Sequence, residues 1–478
     1  MDDTARRAPC LRFAKQKERT MSIINNALSG SLAAQAALNA ASQNIANLQT
    51  KGYTRQGVLL GALQPSPNAG ATAAGNGVEV SALLRFSDGY KNQQLWRAAS
   101  DLGQRSQTQP YLTQLERVMG DDASSLSSGI DSFFRALNAA GVDPTSSPLR
   151  QQVVTAADAM SQHFNSINNV LNNQLLSVQQ QRSAIIPQAN TTIAAIASLN
   201  QKIAAAKGGN TNVSALIDQR DQAIDGLASQ MALEVVEQPD GSRSVSLKSG
   251  QPLVIGSLAG TLSSSTVSGT QAISLQFSTS NFALDNATIG GQLGGLGKFE
   301  QNTLIPLQQS VADIAQQLSS KVNTQLAAGN TLVGTPGTPL FVFTFGGGAT
   351  MLQITAGFQA ADLAFSGDST AGNSDNLQLL IGLKNQPITV TSLGSVLMSD
   401  ADTQLVGKLG IDSQQNQAEM ATADTVRNQS VEDWQSTSGV NRDEEAINLV
   451  EFQNMYQANM KVISVANSLF DATLAMMS

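Results

Sequence analysis

Apolar and small residues recur every seven positions near the N terminus of this chain of 478 residues. A spacing of seven places side chains on one face of an α-helix. We therefore predict a helix over residues 21–48 with a continuous face for close helix packing. The two adjacent stripes of this face are Ile24, Ser31, Leu38 and Ile45, and Ala27, Ala34, Ala41 and Leu48.

The last stretch of the chain repeats the seven-residue spacing with larger side chains. Asn441 is in position to cap this helix, with Glu444 as the acidic partner of a capping box. Burying one large apolar side chain contributes about 1.5–3 kcal/mol, so we predict that this face needs a partner helix. The stripes are Tyr456, Ile463, Phe470 and Met477, and Met455, Val462, Leu469 and Met476, with Leu449 and Phe452 nearer the cap.

Long helical stretches alternate with two β-rich inserts between these ends. A helix is predicted over residues 87–118, and a longer one over residues 148–186, where Pro187 marks a kink or a break. Strand-like runs with Gly, Ser and Thr turns indicate β structure, beginning with a hairpin over residues 233–247. Further helical stretches lie at about residues 193–208, 213–231 and 302–328, and helices dominate after residue 370.

We predict a mainly α fold with β inserts, in which the terminal helices, at residues 21–52 and 441–478, pair with each other. Periodicity alone is equally typical of an ordinary intramolecular bundle. Because disorder concentrates at chain ends, regular stripes at both ends favour an assembly surface. A body of long helices is assigned to residues 53–231, 298–328 and 371–440, and one or two β-rich domains that loop out of this body to residues 232–297 and 329–370.

The first twenty residues differ from the rest of the chain. They hold six basic and three acidic residues, and they lack the apolar segment of a secretory signal peptide. We predict a disordered basic extension over residues 1–20, with Met21 as the working start. The alternative is a short basic tail that forms part of the protein.

The composition offers little for catalysis or for charged ligands. Charged residues make up 13% of the chain and the net charge is −8, so a nucleic-acid surface of clustered Lys and Arg is not expected. No apolar run reaches the roughly 18–20 residues of a membrane span, and we expect no membrane insertion. The single histidine, His163, and the single cysteine, Cys10, cannot supply the usual zinc ligands. We predict no catalytic, metal or cofactor site.

Two sequence motifs stand at opposite ends of the chain. The first comprises residues 38–47 (LNAASQNIAN) and 50–56 (TKGYTRQ), and the second comprises residues 438–446 (SGVNRDEEA), 456–459 (YQAN) and 462–466 (VISVA). Together they resemble the flagellar axial proteins, the family of rod, hook and hook-associated subunits. The Tyr-x-Arg-Gln ending of the first motif is similar to the hook-associated members in particular.

The resemblance implies a structural subunit of the flagellum that acts by self-assembly and not as an enzyme. It implies that the terminal helices form a coaxial coiled coil, that the helical body surrounds it, and that the β-rich domains are outermost. It implies a ring-like layer at the hook–filament junction, in contact with hook subunits and with a second junction protein. It also implies export by the flagellar type III export apparatus without a cleaved signal, a cytosolic chaperone on the C-terminal helix, and an extracellular location. The residues implied to form the axial assembly and chaperone face are Leu38, Ile45, Tyr53, Arg55, Gln56, Leu449, Phe452, Tyr456, Ile463 and Phe470.

Two other functions remain open at the level of sequence. A hook or distal-rod subunit would share the terminal pattern, but it would be mostly β between its ends, whereas the long helix over residues 148–186 favours the junction. A secreted hydrolase or glycan-binding enzyme carried on the flagellum would need clustered acids. Asp362, Asp368 and Asp375 are instead scattered in Gly- and Ser-rich turns.

Overall fold

The computed structural model describes residues 7–64, 75–121, 125–209, 211–267, 270–346, 348, 350–370 and 372–475. The chain is mainly helical with inserted β structure, as the sequence predicts. Its helices are α1 (Arg7–Ala46), α2 (Gly89–Met119), α3 (Leu126–Ala140), α4 (Ser147–Gly208), α5 (Ser214–Gln230), α6 (Gly291–Phe299), α7 (Ile305–Ala327), α8 (Asp375–Gly382), α9 (Ala401–Ser438) and α10 (Arg442–Ala475). Its strands are β1 (Gln56–Ala62), β2 (Val78–Arg85), β3 (Leu233–Glu237), β4 (Arg243–Leu247), β5 (Pro252–Ile255), β6 (Leu258–Ala259), β7 (Thr261–Val267), β8 (Thr270–Phe277), β9 (Ser280–Leu284), β10 (Phe341–Phe343), β11 (Leu352–Ile354), β12 (Pro387–Val390) and β13 (Gly394–Leu397).

The terminal helices α1 and α10 pack against each other. They run antiparallel, because Gly30 of α1 lies beside Asn459 of α10, while Arg55, after α1, donates its backbone N–H to the carbonyl of Ser438, before α10. We call these two helices the terminal helix pair. The predicted pairing of the chain ends is therefore present.

Helix α1 begins at Arg7 and not near Met21. The described part of the basic extension is therefore helical, and the expectation of disorder over residues 1–20 is wrong from Arg7 onward; residues 1–6 lie outside the described residues. The sequence explains the difference. Pro9 stands in the first helical turn, where proline is tolerated, and Ala, Lys, Arg, Gln and Glu, which favour helix, predominate after it.

Strands β1 and β2 form an antiparallel hairpin that lies along α1. The side-chain amide of Asn26 donates to the carbonyl of Gly75 at 3.1 Å, and the backbone N–H of Val78 donates to Ser29 Oγ at 3.2 Å. The sequence predicted only a short strand near Val78, so β1 was missed. The hairpin therefore packs on the terminal helix pair, although residues from 53 onward were assigned to the helical body.

The helical body is organised by α4, a helix of 62 residues that packs against α3 and α5. Helix α2 packs against α9, α5 and α6. Of the kink or break predicted at Pro187, the break is absent, because the helix continues to Gly208. Proline removes one backbone hydrogen bond at a cost of about 3 kcal/mol, and the burial of Ile185, Ile186 and Ile193 on both sides of it offsets that loss.

The first β insert contains a four-stranded sheet in the order β3-β4-β5-β6 and a three-stranded sheet in the order β7-β8-β9. The predicted hairpin is confirmed, with Leu233 opposite Leu247. Helix α6 then passes through a π-helical turn, Glu300–Leu304, into α7. The second insert is smaller, since β10 and β11 have three residues each.

A further hairpin, β12–β13, lies where helices were predicted. One hydrophobic core extends from Trp96 of α2 to Leu409 of α9 and includes both β inserts. The terminal helix pair is outside this core. Among the described helices, none is both long enough and apolar enough to cross a membrane.

Candidate assembly surface

One face of α10 points toward α1. Its residues are buried or half-buried and follow alternating spacings of four and three, which keeps them on a single helix face. An added Cβ on Gly30 would lie 2.8 Å from the amide of Asn459, so a small residue at position 30 lets the two helices approach closely. The α10 residues of this inward face are Glu445, Leu449, Phe452, Tyr456, Asn459, Ile463, Ala466, Phe470 and Thr473.

Helix α1 contributes small side chains to the packing. Ala27, Ser31, Ala34 and Ala41 of the predicted stripes are buried, and Leu38 is half-buried. The larger residues Ile45 and Leu48 remain exposed at 37% and 38%.

The predicted assembly residues of α10 all belong to its inward face. Leu449, Phe452, Tyr456, Ile463 and Phe470 are half-buried. The second predicted stripe, by contrast, remains open to solvent, with Met455 40%, Val462 43% and Leu469 57% exposed. Met476 and Met477 lie outside the described residues.

Exposed apolar residues continue around the terminal helix pair and its hairpin. Large exposed apolar patches on soluble proteins mark interaction sites. Residues 21–50 contain no Asp, Glu, Lys or Arg, so the α1 side of this surface carries no charge. We call the exposed residues the outer apolar surface: Ile23, Leu28, Leu32, Ile45 and Leu48 of the N-terminal segment, Leu59, Leu60, Val80, Leu83 and Leu84 of the hairpin, and Ile447, Val450, Met455, Met460, Val462, Val465, Leu469 and Leu474 of α10.

Tyr53 and Gln56 make their contacts within the chain, around the buried side chain of Asn44. The phenol of Tyr53 donates to Asn44 Oδ1 at 2.9 Å, and the Gln56 backbone N–H donates to the same oxygen at 3.0 Å. Asn44 Nδ2 donates in return to the Gln56 carbonyl at 2.8 Å. Burial, assisted by the charge of Asp218, raises the pKa of Tyr53 to about 12. These two residues therefore join the end of α1 to the hairpin.

Arg55 links the hairpin to the first turn of α10. Its guanidinium donates to Glu444 at 2.8 Å and lies over the Phe86 ring, 4.5 Å from its centre. Asn441 caps α10, since its Oδ1 accepts from the Asp443 backbone N–H at 3.0 Å. The expected cap is therefore present, but Glu444 binds Arg55 and does not complete a capping box.

Helix α5 presents three acidic residues at spacings of three and four, which places them on one helix face. Asp218 binds Arg85 at 2.8 Å, and Asp225 binds Arg427 at 2.7 Å. Asp221 pairs with Arg85 and Arg243. This network joins the hairpin, the first β insert and α9 to α5. Sequence reasoning missed it, and the acidic spacing on α5 was the available signal.

Asp362 and Asp368, two of the acidic residues considered for a hydrolase, accept backbone hydrogen bonds within their own turns. Asp362 accepts the Gln359 backbone N–H at 2.8 Å. Asp368 accepts the Thr370 backbone N–H at 3.0 Å, and the hydrogen bonds from Thr370 lower the pKa of Asp368. Within the described ranges, no group of three or more His, Cys, Asp or Glu side chains is arranged to hold a metal ion.

Comparisons with known proteins agree with the arrangement of the two ends and the body. The family profile "Flagellar hook-associated protein FlgK helical domain" matches residues 112–341. A second profile, "Flagellar basal body rod FlgEFG protein C-terminal", matches residues 434–476, which include all of α10. The helical body and the last helix of this chain are thus each similar to a part of the flagellar axial proteins.

Two named proteins and one solved structure are similar to most of this chain. Flagellar hook-associated protein 1 of Escherichia coli (strain K12) is 27% identical over 545 residues, covering 95% of this chain and 99% of that protein. The protein of the same name from Bacillus subtilis (strain 168) is 25% identical, covering 92% and 95%. A solved structure, "the flagellar hook junction protein FlgK from Burkholderia pseudomallei", has a similar fold, with a TM-score of 0.64 and 17% identity over 72% of this chain and 100% of that one. This chain is therefore similar over nearly its whole length to flagellar hook-associated protein 1.

Proposed function

We propose that this chain is a structural subunit that forms the junction between the flagellar hook and filament by self-assembly and mechanical coupling. The observation that carries the proposal is the outer apolar surface. The terminal helix pair buries one face of α10 and leaves Val462 and Leu469 exposed, so a second protein chain has to cover them. The similarity to hook-associated protein 1 over 95% of the chain supports the position at the junction.

The energy for assembly comes from covering this surface. A half-exposed large apolar side chain gains about 1 kcal/mol when the rest of it is buried. The outer apolar surface holds many such residues on each subunit, so a ring-like layer of copies gains a large total. The uncharged segment 21–50 adds no repulsion when identical copies meet. Catalysis has no part in this function.

We propose a radial order for the domains. The terminal helix pair, at residues 21–52 and 441–478, forms the axial coiled coil, and its α1-facing stripe of four–three spacing is typical of such packing. The helical body surrounds it, and the β inserts at residues 232–297 and 329–370 face outward. The hairpin β1–β2 goes with the axial part, because it lies along α1.

The partners follow from this position. Hook subunits lie below the layer and the second junction protein lies above it. Before export, a cytosolic chaperone covers α10, because its exposed apolar residues would otherwise aggregate. The chain then leaves through the flagellar type III export apparatus without a cleaved signal peptide and resides on the extracellular flagellum. The proposed contact surface combines two sets of residues. One is the axial and chaperone face predicted from the sequence, and the other is the outer apolar surface.

The long helices of the body favour the junction over a hook or distal-rod subunit, because such a subunit was expected to be mostly β between its ends. The experiment that tests the proposal is complementation of a strain lacking the corresponding gene. We expect the strain to make hooks without filaments and the full chain to restore filaments, with gold-labelled antibody binding at the hook–filament boundary. Label along the hook or rod, or filaments present without the chain, would contradict the proposal.

A further inference from the structure

A cleft of about 460 Å³ separates the terminal helix pair from the helical body on one side. One wall is the segment of residues 47–53, which follows α1. The other wall includes Trp96 of α2, Asp225 of α5 and Trp434 of α9. Because packing is absent across this cleft, apolar contacts there do not fix the angle at which the pair leaves the body.

Polar contacts hold the terminal helix pair to the body on the other side of this cleft. Asp218 of α5 accepts the backbone N–H of Thr54 at 3.1 Å and the guanidinium of Arg85 at 2.8 Å. Arg85 also donates to Thr54 Oγ1 at 2.9 Å. Thr54 and Asp218 are buried, so the root of the hairpin is anchored to the body at this point.

Arg55 contacts both chain segments that connect the terminal helix pair to the body. Its backbone N–H donates to the Ser438 carbonyl at 2.8 Å, and its carbonyl accepts from the Phe86 N–H at 3.0 Å. Its guanidinium reaches Glu444 in the first turn of α10. Loss of this ion pair would leave the terminal helix pair attached, but with one fewer contact to set its direction.

We propose that Arg55 and Glu444 are positioning residues, which set the angle between the terminal helix pair and the body and so align the outer apolar surface with neighbouring subunits. This inference rests on the proposed function. The ion pair is partly solvated, with side chains 24% and 57% exposed, and such pairs contribute little to stability. Its effect is therefore expected in assembly and not in unfolding.

The test compares Arg55→Ala, Glu444→Ala and the double variant in the complemented deletion strain. The matched control is Lys384→Ala, which removes an ion pair to Asp131 of equal length, 2.8 Å, and similar exposure inside the body. We expect all variants to be exported in equal amounts and to keep the melting temperature of the unsubstituted chain. The fraction of hooks that carry filaments under shear should fall several-fold in the two single variants and remain unchanged in the control.

The double variant separates a shared contact from two independent effects. Its loss of filaments should equal that of Arg55→Ala alone, because Arg55→Ala already removes the ion pair together with the contact to Phe86. Filament retention equal to the Lys384→Ala control, or losses that add in the double variant, would overturn the positioning role. If the unsubstituted chain itself is not found at the hook–filament boundary, the proposed function fails and not only this inference.

Discussion

Leu469 and Phe470 are adjacent in sequence but face different surroundings. Phe470 is half-buried on the inward face of α10, whereas Leu469 is 57% exposed on the outer apolar surface. Leu469→Asp and Phe470→Asp therefore place the same charge in two environments. The pair of variants separates contacts within the chain from contacts between subunits.

The expected magnitudes differ between the free and the assembled chain. In the free chain Leu469→Asp leaves its carboxylate in water, so the free energy of unfolding should change by no more than about 0.5 kcal/mol. In the assembly the same change loses about 1 kcal/mol of apolar burial, and it adds several kcal/mol for desolvating an unpaired charge. Phe470→Asp, by contrast, should weaken the α1–α10 packing of the free chain by about 2 kcal/mol.

Circular dichroism melting of the purified chains and electron microscopy of complemented cells measure the two effects. The matched control is Leu176→Asp on α4, because Leu176 is 55% exposed, almost the same as Leu469. We expect Leu176→Asp to support normal filaments and Leu469→Asp to leave bare hooks. Filaments formed equally well by both variants would refute the assignment of the outer apolar surface.

Three further predictions concern polar groups that are buried or half-buried. The pKa of Tyr53 is raised to about 12, so its neutral phenol stabilises the fold below pH 10, and this contribution is lost as pH rises from 10 toward 12. Spectrophotometric titration of the tyrosines should lose its highest transition in the Tyr53→Phe variant. Burial raises the pKa of Asp402, so its contribution to stability is lost as pH rises through the folded pKa, and Asp402→Asn should raise the melting temperature more at pH 7 than at pH 4. Glu300→Leu should cost about 3–5 kcal/mol in denaturant unfolding because it leaves Arg182 buried without its partner, whereas Arg182→Met combined with Glu300→Leu should cost far less.

The sequence predicted the long helices and the pairing of the chain ends because both depend on periodicity within one segment. The seven-residue spacing of Tyr456, Ile463 and Phe470 marks a helix face wherever its partner lies. The spacing did not show which of the two α10 stripes would face α1. The stripe that faces α1 is the one that shares its helix face with Asn459, where α10 approaches Gly30 of α1 closely. These two residues are distant in the chain.

The missed elements have tertiary causes. Strand β1 contains Gly57 and Gly61 and exposes Leu59 and Leu60, so it lacks the alternation of a half-buried strand. Helix α3 was not predicted separately; it contains Gly129, where an added Cβ would approach the backbone of Met160 at 3.3 Å. A glycine that lowers helix propensity therefore serves the packing of α3 against α4.

The contacts between the terminal helix pair and the body could not be predicted for a similar reason. Asp218 and Arg85 are 133 residues apart, and Arg55 and Glu444 are 389 residues apart. The motif around Tyr53 and Arg55 was visible in the sequence and was assigned to assembly. In the structure its contacts lie within the chain, and whether the same residues also meet a neighbouring subunit stays a prediction.

A disulfide between the terminal helices tests most directly whether the assembled subunit uses them as a pair. The ideal Cβ at Gly30 lies 3.0 Å from Asn459 Cγ, close to the place that a cysteine sulfur at position 459 would occupy. Gly30→Cys and Asn459→Cys would be combined with Cys10→Ser, which removes the only natural cysteine. A matched control replaces Asn459→Cys with Gln457→Cys, on the exposed side of α10.

The measurement is non-reducing electrophoresis of the chain recovered from sheared flagella, together with a count of filaments on the same cells. We predict a bridge within one chain for positions 30 and 459, none for positions 30 and 457, and normal filament numbers in the bridged strain. Absence of the bridge in assembled flagella, or loss of filaments when it forms, would contradict the conclusion that the antiparallel terminal helix pair is the assembling unit.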